Sequence, residues 1–430
     1  MPLGLALTPA LSQGDREGER HRGYDRPLVT APAGQPLRVL HLTPRLNRAA
    51  GGAWHYVEGL SASLERIGVQ CVVAGVVDAG VDDHRSLSAS QVITGLPGVL
   101  PANYGFSRQL RRRLDRELRR VDLVHAHGFR VGTDLLTMRI ARRFAAPILL
   151  SPHGQLHPAI AQRGGVKRWL VNALWARRYL RTVDAALAVG ETEAAVIRAA
   201  AADKPIATLP IGINLDDYVR TSRPGSLATL APGSAGKRAV LYLAHMHANK
   251  GVARLADAWL SVFRERPDWH LVLAGVDVSG LGAATAQRLR AAGAGESFTL
   301  LGPMYDEAKR DAFADADLFT MPSDAESFGI AFAESLASGV PIIATRGAPW
   351  SSVVEHRCGW WVEPTVEALA SALHEATSLG DGERRAMGER GQALVRERFA
   401  WPAIALKVRT LYEHLLGGGE RPDFLEGVTL

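Results

Sequence analysis

This sequence predicts an α/β protein of two halves, each a parallel sheet with helices on both faces, and a cleft between them. Short apolar strands alternate with helical segments from Leu37 to about Asp217, the pattern of a sheet built from βαβ units. The rhythm then breaks in a stretch rich in Ser, Gly, Pro and Thr, Val219–Arg238, and restarts at Ala239, as two domains joined by a linker require. At 430 residues the chain has the length of two or three domains of about 150 residues each.

Each segment has its own justification. Residues 1–36 mix turn formers with the charged run Asp15–Arg22 and show no sustained period, so a disordered extension is expected. The apolar patch Leu3–Leu11 lacks a basic start and is broken by Gly4 and Pro9, unlike a signal peptide. Residues 37–217 form the first half, with strands at Leu37–Leu42, Val69–Val77, Val121–His125 and Pro147–Leu150. Tyr56, Val57, Leu60 and Leu64 mark the apolar stripe of a helix after the first strand. Residues 218–238 read as the linker. Residues 239–399 form the second half, with strands at Ala239–Leu243, His270–Ala274, Phe298–Leu301, Leu318–Met321, Val340–Ala344 and Trp360–Val362. A helix near Pro364–Ser378 follows, and residues 400–430 hold a final helix, Ala400–Leu416, and a tail.

Composition narrows the function. Hydrophobic residues make up 47% and charged residues 22%, which excludes wholesale disorder, collagen-like sequence and a coiled coil. No apolar run reaches the roughly 18 residues of a membrane span. Two cysteines, Cys71 and Cys358, cannot build a disulfide framework or a thiolate metal site, and they suit a reducing compartment. A net charge of +6 permits an anionic partner without naming one.

The segment Pro322–Pro341 carries the strongest chemical signal. A strand ends at Pro322, a loop carries Glu326, and a helix is expected from near Phe328 to Gly339, with Glu334 inside its first two turns. Free N–H groups at such a helix start suit a phosphate, and two acceptor-only carboxylates suit sugar hydroxyls. Standing alone, the two glutamates read better as solvated charges at a helix N-terminus. Asp315-Ala316-Asp317 has a metal-binding spacing but reads as helix end and strand start. His125 and His127 alternate onto one strand face, with no third ligand at a zinc-like spacing, so no metal is expected. No G-x-G-x-x-G follows the first strand and no G-x4-G-K-[ST] loop occurs, which argues against a dehydrogenase and a P-loop enzyme. Two basic segments, Ser107–Arg120 and Arg163–Arg181, the second with Trp169 and Trp175, suit either a solvated face or anionic lipid. No accompanying motif supports nucleic acid.

Several stretches together resemble the retaining glycosyltransferases of family 4, which have the GT-B fold of two Rossmann-like domains. The Glu326-x7-Glu334 spacing resembles the family's E-x7-E signature, and Gly51-Gly52-x3-Tyr56-Val57 its glycine loop. Asp122–Gly128 and Ser151-Pro152-His153-Gly154 resemble its strand-end histidine motifs, and Pro210–Asn214 the segment before the linker. Asn249-Lys250-Gly251, Leu301-Gly302-Pro303 and Gly347-Ala348-Pro349-Trp350 follow in the family's order; the last, with Cys358–Trp361, resembles a bacterial polysaccharide subgroup.

The resemblance implies roles. Glu326 would hold hydroxyls of the transferred sugar, and the amides of Phe328, Gly329 and Ile330 would support sugar and phosphate. Glu334 would bind the ribose, Lys250 the diphosphate, and His153 the donor sugar near the reaction centre. Gly51 and Gly52 would let backbone approach the diphosphate, and His127 would line the acceptor side. The first half would dock the acceptor and the second the nucleotide sugar. One departure stands out: His245 occupies the position of the family's diphosphate-binding Arg, so either His245 or a nearby Arg supplies the second cation, or the leaving group is less well stabilised.

The implied activity is transfer of a sugar, with retention, from a nucleotide diphosphate sugar to a glycan or lipid-linked glycan acceptor, without a bound cofactor. The expected setting is bacterial surface or exopolysaccharide synthesis in the cytoplasm, with peripheral contact to an anionic membrane. Two alternatives stay open, a non-catalytic partner subunit of the same fold and a sugar-nucleotide epimerase.

Overall fold

The computed structural model describes residues 35–98, 100, 104–156, 175–201, 203–219, 225–277 and 279–427. The disorder expected for residues 1–34 lies outside these, as do residues 163–174 of the second basic segment.

The first sheet consists of β1 (Arg38–Arg45), β2 (Gln70–Val76), β3 (Gln91–Gly95), β4 (Leu123–His127), β5 (Ile148–Ser151), β6 (Ala185–Ala188), β7 (Ile206–Thr208) and, far along the chain, β14 (Leu425–Glu426). Their order is β14-β7-β6-β5-β4-β1-β2-β3, and all are parallel except β14. The second sheet holds β8 (Arg238–Leu243), β9 (Trp269–Ala274), β10 (Phe298–Leu301), β11 (Leu318–Thr320), β12 (Ile342–Thr345) and β13 (Gly359–Val362). Its order is β10-β9-β8-β11-β12-β13. The expected two-sheet α/β architecture is the observed one.

Both sheets begin at an inner strand, run outward, then return to build the other side. The reversal leaves a crevice beyond the carboxyl ends of β1 and β4 in one sheet, and of β8 and β11 in the other, where doubly wound sheets bind ligands. The glycine loop, His153, His245, Lys250, Glu326 and Glu334 each follow one of these strands or the neighbouring β5, while His125 and His127 lie on β4 itself.

Apolar side chains seal the sheets on both faces. Leu40, Leu42, Val72 and Val124 pack under the helices Arg108–Glu117 and Gly132–Phe144, while Val39, Leu123 and Leu149 face the helix Gly52–Arg66. That helix buries Trp54, Tyr56, Val57, Leu60 and Leu64, the stripe its periodicity predicts. The stretch read as a linker is partly structured: after residue 224 it forms the helix Ser226–Leu230, whose buried Leu227 offers its N–H to Asp315 at 2.9 Å.

The chain crosses back after the second sheet. The helix Asp381–Arg398, which the periodicity does not announce, leads to a short parallel bridge, Ile213 with Ala400. The helix Trp401–Leu415 then lies on Gly52–Arg66, burying Ile404, Val408, Leu411 and Tyr412, and β14 adds itself to β7. One apolar core therefore runs through both halves. Its wedge is the Trp401 indole, against which any Cβ added at Gly59 or Gly212 would collide. Gly59 lies mid-helix, where alanine is ordinarily favoured by about 1 kcal/mol, yet the collision should dominate. Gly59→Ala is expected to destabilise by about 1–3 kcal/mol in chemical denaturation. The same change in a Trp401→Leu background should cost far less; equal costs would show that the wedge is not what the glycine serves.

Candidate functional site

The second half contributes two carboxylates held alike. Glu326 pairs with Lys250, and its Oε1 also accepts from the Ser323 hydroxyl at 3.3 Å. Glu334 Oε1 accepts from Lys309 Nζ and from the Tyr218 hydroxyl, each at 2.5 Å. In both, one oxygen takes a lysine and a hydroxyl. Among the described residues no partner occupies either Oε2. Burial alone would raise the Glu334 pKa, but the Lys309 ammonium and the two hydrogen bonds outweigh it and hold the carboxyl below its ordinary range.

Backbone bonds set the Glu326 loop. Glu326 N donates to Gly347 O at 2.8 Å, and Asp324 N to Asn249 O at 2.8 Å. Arg254 reaches Pro322 O at 2.7 Å and Asp324 Oδ1 at 2.5 Å. The Trp350 indole donates to Phe328 O at 2.6 Å, which gives the Gly347–Trp350 motif its place as a brace under the loop. The helix begins at Ile330, two residues later than expected, after Gly329 in the left-handed region (φ 80°). The N–H groups that open this helix lie where no intrahelical acceptor exists. His245 is exposed, and among the described residues its ring has no partner.

In the first half, Gly51 has φ 64° and a Cβ there would meet no protein atom, so its glycine serves conformation and not close packing. A Cβ at Gly52 would sit 3.6 Å from Ile330 Cδ1, placing the glycine loop directly opposite the helix start of the other half. His153 (φ 49°) and Gly154 (φ 77°) form a turn against the Glu326 loop, since a Cβ at Gly154 would lie 2.9 Å from Ser327 Oγ. Buried Glu193 pins the turn by accepting from Gly154 N (2.5 Å) and Val189 N (2.9 Å). The structure thus brings His153, Gly52, Phe328, Gly329 and Ile330 to one junction, with Glu326 and Lys250 beside it.

Behind His153 lies a histidine cluster. His153 Nε2 is 3.0 Å from His127 Nδ1, and His127 Nε2 is 3.1 Å from His41 Nδ1. His125 bonds Tyr412 through Nδ1 (2.7 Å) and Ser151 through Nε2 (2.8 Å). His127 is buried among these groups, so it does not line an acceptor surface as the resemblance implies. The third histidine that spacing along β4 could not reveal is His41 on β1, paired in register with His125; ligand nitrogens of the three lie within 4.8 Å of one another. Asp315 and Asp317 take the structural roles expected, accepting from Leu227 N and Ala239 N.

A cavity of about 490 Å³ opens next to the junction, lined by Arg48, His55, Tyr218, Lys309, Glu334 and Trp401 among others. Tyr218, Lys309 and Glu193 escape sequence reasoning because no motif or period marks them. Trp175 is turned inward, donating to Asp134 at 3.1 Å and packing edge-on to Phe106, so it is not the membrane-facing tryptophan that a lipid-binding segment would present. Among the described residues no helix is long and apolar enough to cross a membrane.

Burial pushes the His41 pKa down to about 3 and that of His153 to about 4, and holds His125 and His127 well below the usual value, neighbouring imidazoles adding to the effect on the last two. The unfolded chain titrates these rings near pH 6.5 and so binds more protons below it. Their contribution is complete above about pH 6.5 and is lost as pH falls toward the folded values. Asp134 opposes this, since burial raises its pKa to about 7 despite the bond from Trp175, as does buried Glu193, likewise raised. The four histidines outnumber them. Stability by denaturation is expected to fall from pH 7 to pH 5, by up to about 1.4 kcal/mol per pH unit for a fully buried ring such as His41. His41→Leu should flatten that slope; an unchanged slope would show that His41 is not the group responsible.

Comparison with known proteins agrees with this geometry. The family profile "Glycosyl transferases group 1" matches residues 232–394, and "Glycosyltransferase Family 4" matches residues 50–217. The chain is 24% identical over 396 residues to the GDP-mannose:cellobiosyl-diphosphopolyprenol alpha-mannosyltransferase of Komagataeibacter xylinus, covering 89% of this chain and 94% of that protein. It is 27% identical over 387 residues to the D-inositol 3-phosphate glycosyltransferase of Arthrobacter sp. (strain FB24), covering 83% and 88%. In fold it is similar to sucrose-phosphate synthase of Thermosynechococcus elongatus, with a TM-score of 0.68 at 22% identity, covering 88% and 99%. Two halves meeting at the carboxyl ends of their strands, and two profiles that divide the chain between those halves, show that it belongs to the family 4 glycosyltransferases of GT-B fold and acts on a nucleotide sugar.

Proposed function

We propose that this enzyme moves a sugar, with retention at the anomeric carbon, from a nucleotide diphosphate sugar to a lipid-linked glycan acceptor. The observation that carries the reading is the junction itself, where Glu326 with Lys250 and the open helix start at Ile330 face His153 and Gly52. Lys250 has three N–H donors, so it can bond Glu326 and still reach a diphosphate, where a cation stabilises the charge that grows as the nucleotide leaves. Glu326 Oε2 takes hydroxyls of the sugar and Glu334 Oε2 those of the ribose. No covalent nucleophile is assigned; the acceptor hydroxyl attacks from the face the nucleotide leaves.

Both relatives are named for acceptors that carry phosphate, a diphosphopolyprenol glycan and an inositol phosphate, which supports an anionic acceptor here. We place membrane contact on the exposed Arg108, Arg111, Arg112 and Arg116 of the helix Arg108–Glu117, a surface that anionic lipid attracts. Arg108 and Arg112 are the most available of these, since Arg111 lies 4.0 Å from Asp115 and Arg116 pairs with Glu117, which also holds Arg113. Synthesis of bacterial surface or extracellular polysaccharide is the setting this acceptor class suits.

The test is a panel of nucleotide sugars with and without polyprenyl-diphosphate glycans, the product's anomeric configuration being read by NMR. Glu326→Ala should lower turnover by about 10²–10³-fold while the protein stays folded. Wild-type turnover in that variant, or an inverted product, overturns the reading. His245→Arg should bind donor more tightly than wild type, because a guanidinium is a permanent cation whose fork of N–H groups matches a diphosphate. Equal donor affinity would make His245 a bystander.

A further inference from the structure

The histidine cluster holds more polar groups than packing explains. His41 and His127 come from adjacent strands, β1 and β4, and His153 from the turn after β5, so the three rings line up across the sheet toward the junction. Their planes lie within 16° of one another at each contact, 11° for His41 with His127 and 16° for His127 with His153. With N···N separations of 3.1 and 3.0 Å, each contact fits an N–H···N hydrogen bond. A neutral imidazole has one N–H and one bare nitrogen, so each bond constrains the next and the whole chain has only two consistent directions.

The far end selects between them. His41 Nε2 is buried and has no partner among the described residues. Were the chain to donate inward, His41 Nε2 would carry a sealed N–H without an acceptor. Were it to donate outward, that atom would be a bare nitrogen. Orphaned buried N–H groups are rarer than under-used acceptors, so the outward direction is favoured. His41 Nδ1–H then donates to His127 Nε2, and His127 Nδ1–H to His153 Nε2. His153 must in turn carry its proton on Nδ1, the ring nitrogen that has no partner among the described residues and is not sealed from solvent.

We propose that His41 and His127 are positioning residues, a buried relay that fixes His153 as its Nδ1–H tautomer and presents that N–H to the sugar donor. This rests on the donor site proposed above for its consequence, but not for the tautomer. His125 stands beside the relay with both nitrogens satisfied by Tyr412 and Ser151. Tyr56 covers the outer end, its ring 5.0 Å from His153 and 5.7 Å from His127. Glu193 holds the turn through backbone N–H groups and makes no hydrogen bond to the rings. Burial keeps the relay neutral, which a one-proton-per-ring chain requires.

The experiment labels histidine with ¹⁵N in the full chain and reads the tautomer of His153 by long-range ¹H–¹⁵N correlation, the signal being assigned by its loss in His153→Gln. The wild type is expected to show the Nδ1–H form. In His127→Leu that preference should disappear and kcat should fall about 10- to 100-fold, as loss of a partner that orients a functional imidazole typically causes, with donor KM little changed. His127→Asn, whose amide can donate from near the Nδ1 position, should recover most of both. A His153 in the Nε2–H form in the wild type overturns the proposal even if no variant folds. So does an Nδ1–H preference that survives His127→Leu. About one equivalent of a transition metal retained by the purified protein, with the His41 and His127 N–H signals absent, would make the cluster a metal site and overturn it equally. An Nδ1–H His153 in a protein that transfers no sugar would leave the relay standing and count against the proposed function instead.

Discussion

A parallel sheet begun at an inner strand must reverse its direction of growth once, and in this protein both sheets do so. Helices cover the faces, so the crevice at each reversal is the place where strand ends stay open. The site depends on those two crevices facing one another. That opposition is held by the returning chain: Ile213 pairs with Ala400, Trp401 wedges against Gly59 and Gly212, and β14 closes on β7. The exposed ion pair of Arg48 with Asp306 also spans the two halves, but such pairs are worth about 0–1 kcal/mol. The buried wedge therefore holds the halves, and the ion pair can open at little cost.

Much of this was legible in the sequence because apolar strands in a parallel sheet are continuous runs. β1, β2, β8 and β9 are of that kind. β6 is not, being Ala-Ala-Leu-Ala, a composition without the branched residues that favour strands. β14 is two residues long and exists only through its pairing with β7. The helix Asp381–Arg398 is hidden by its charge and by Gly388 and Gly391, which look like helix breakers. In the fold they are contact points, since a Cβ at Gly388 would strike the Gly339 carbonyl and one at Gly391 would lie 2.7 Å from Leu336.

The site divides in the same way. Glu326, Lys250, His153 and the glycine loop were visible because they sit in short motifs at strand ends. Their supports were not, because a support is defined by proximity in the fold. Tyr218 lies 116 residues from Glu334, and His41 lies 86 from His127. A histidine in the middle of the apolar run Val39–Leu42 was the one available hint. It conflicts with its local pattern, and such conflicts tend to mark functional or strained sites.

The two carboxylates are held by the same pair of groups, a lysine and a hydroxyl. At Glu334, burial alone would favour the protonated form; the Lys309 ammonium restores the charged one, while the Tyr218 hydroxyl fixes which way the group is turned. Because both partners fall on Oε1 at Glu326 and again at Glu334, the other oxygen of each can accept from a sugar without breaking the bonds that hold it. The second lysine is the more telling. Lys309 arrives from the helix Asp306–Asp315 and Tyr218 from the segment before Ser226–Leu230, so the Glu334 clamp also ties the start of the linker to the second half. A change at either partner would therefore act twice, on the Glu334 carboxylate and on the path by which the chain passes between its halves.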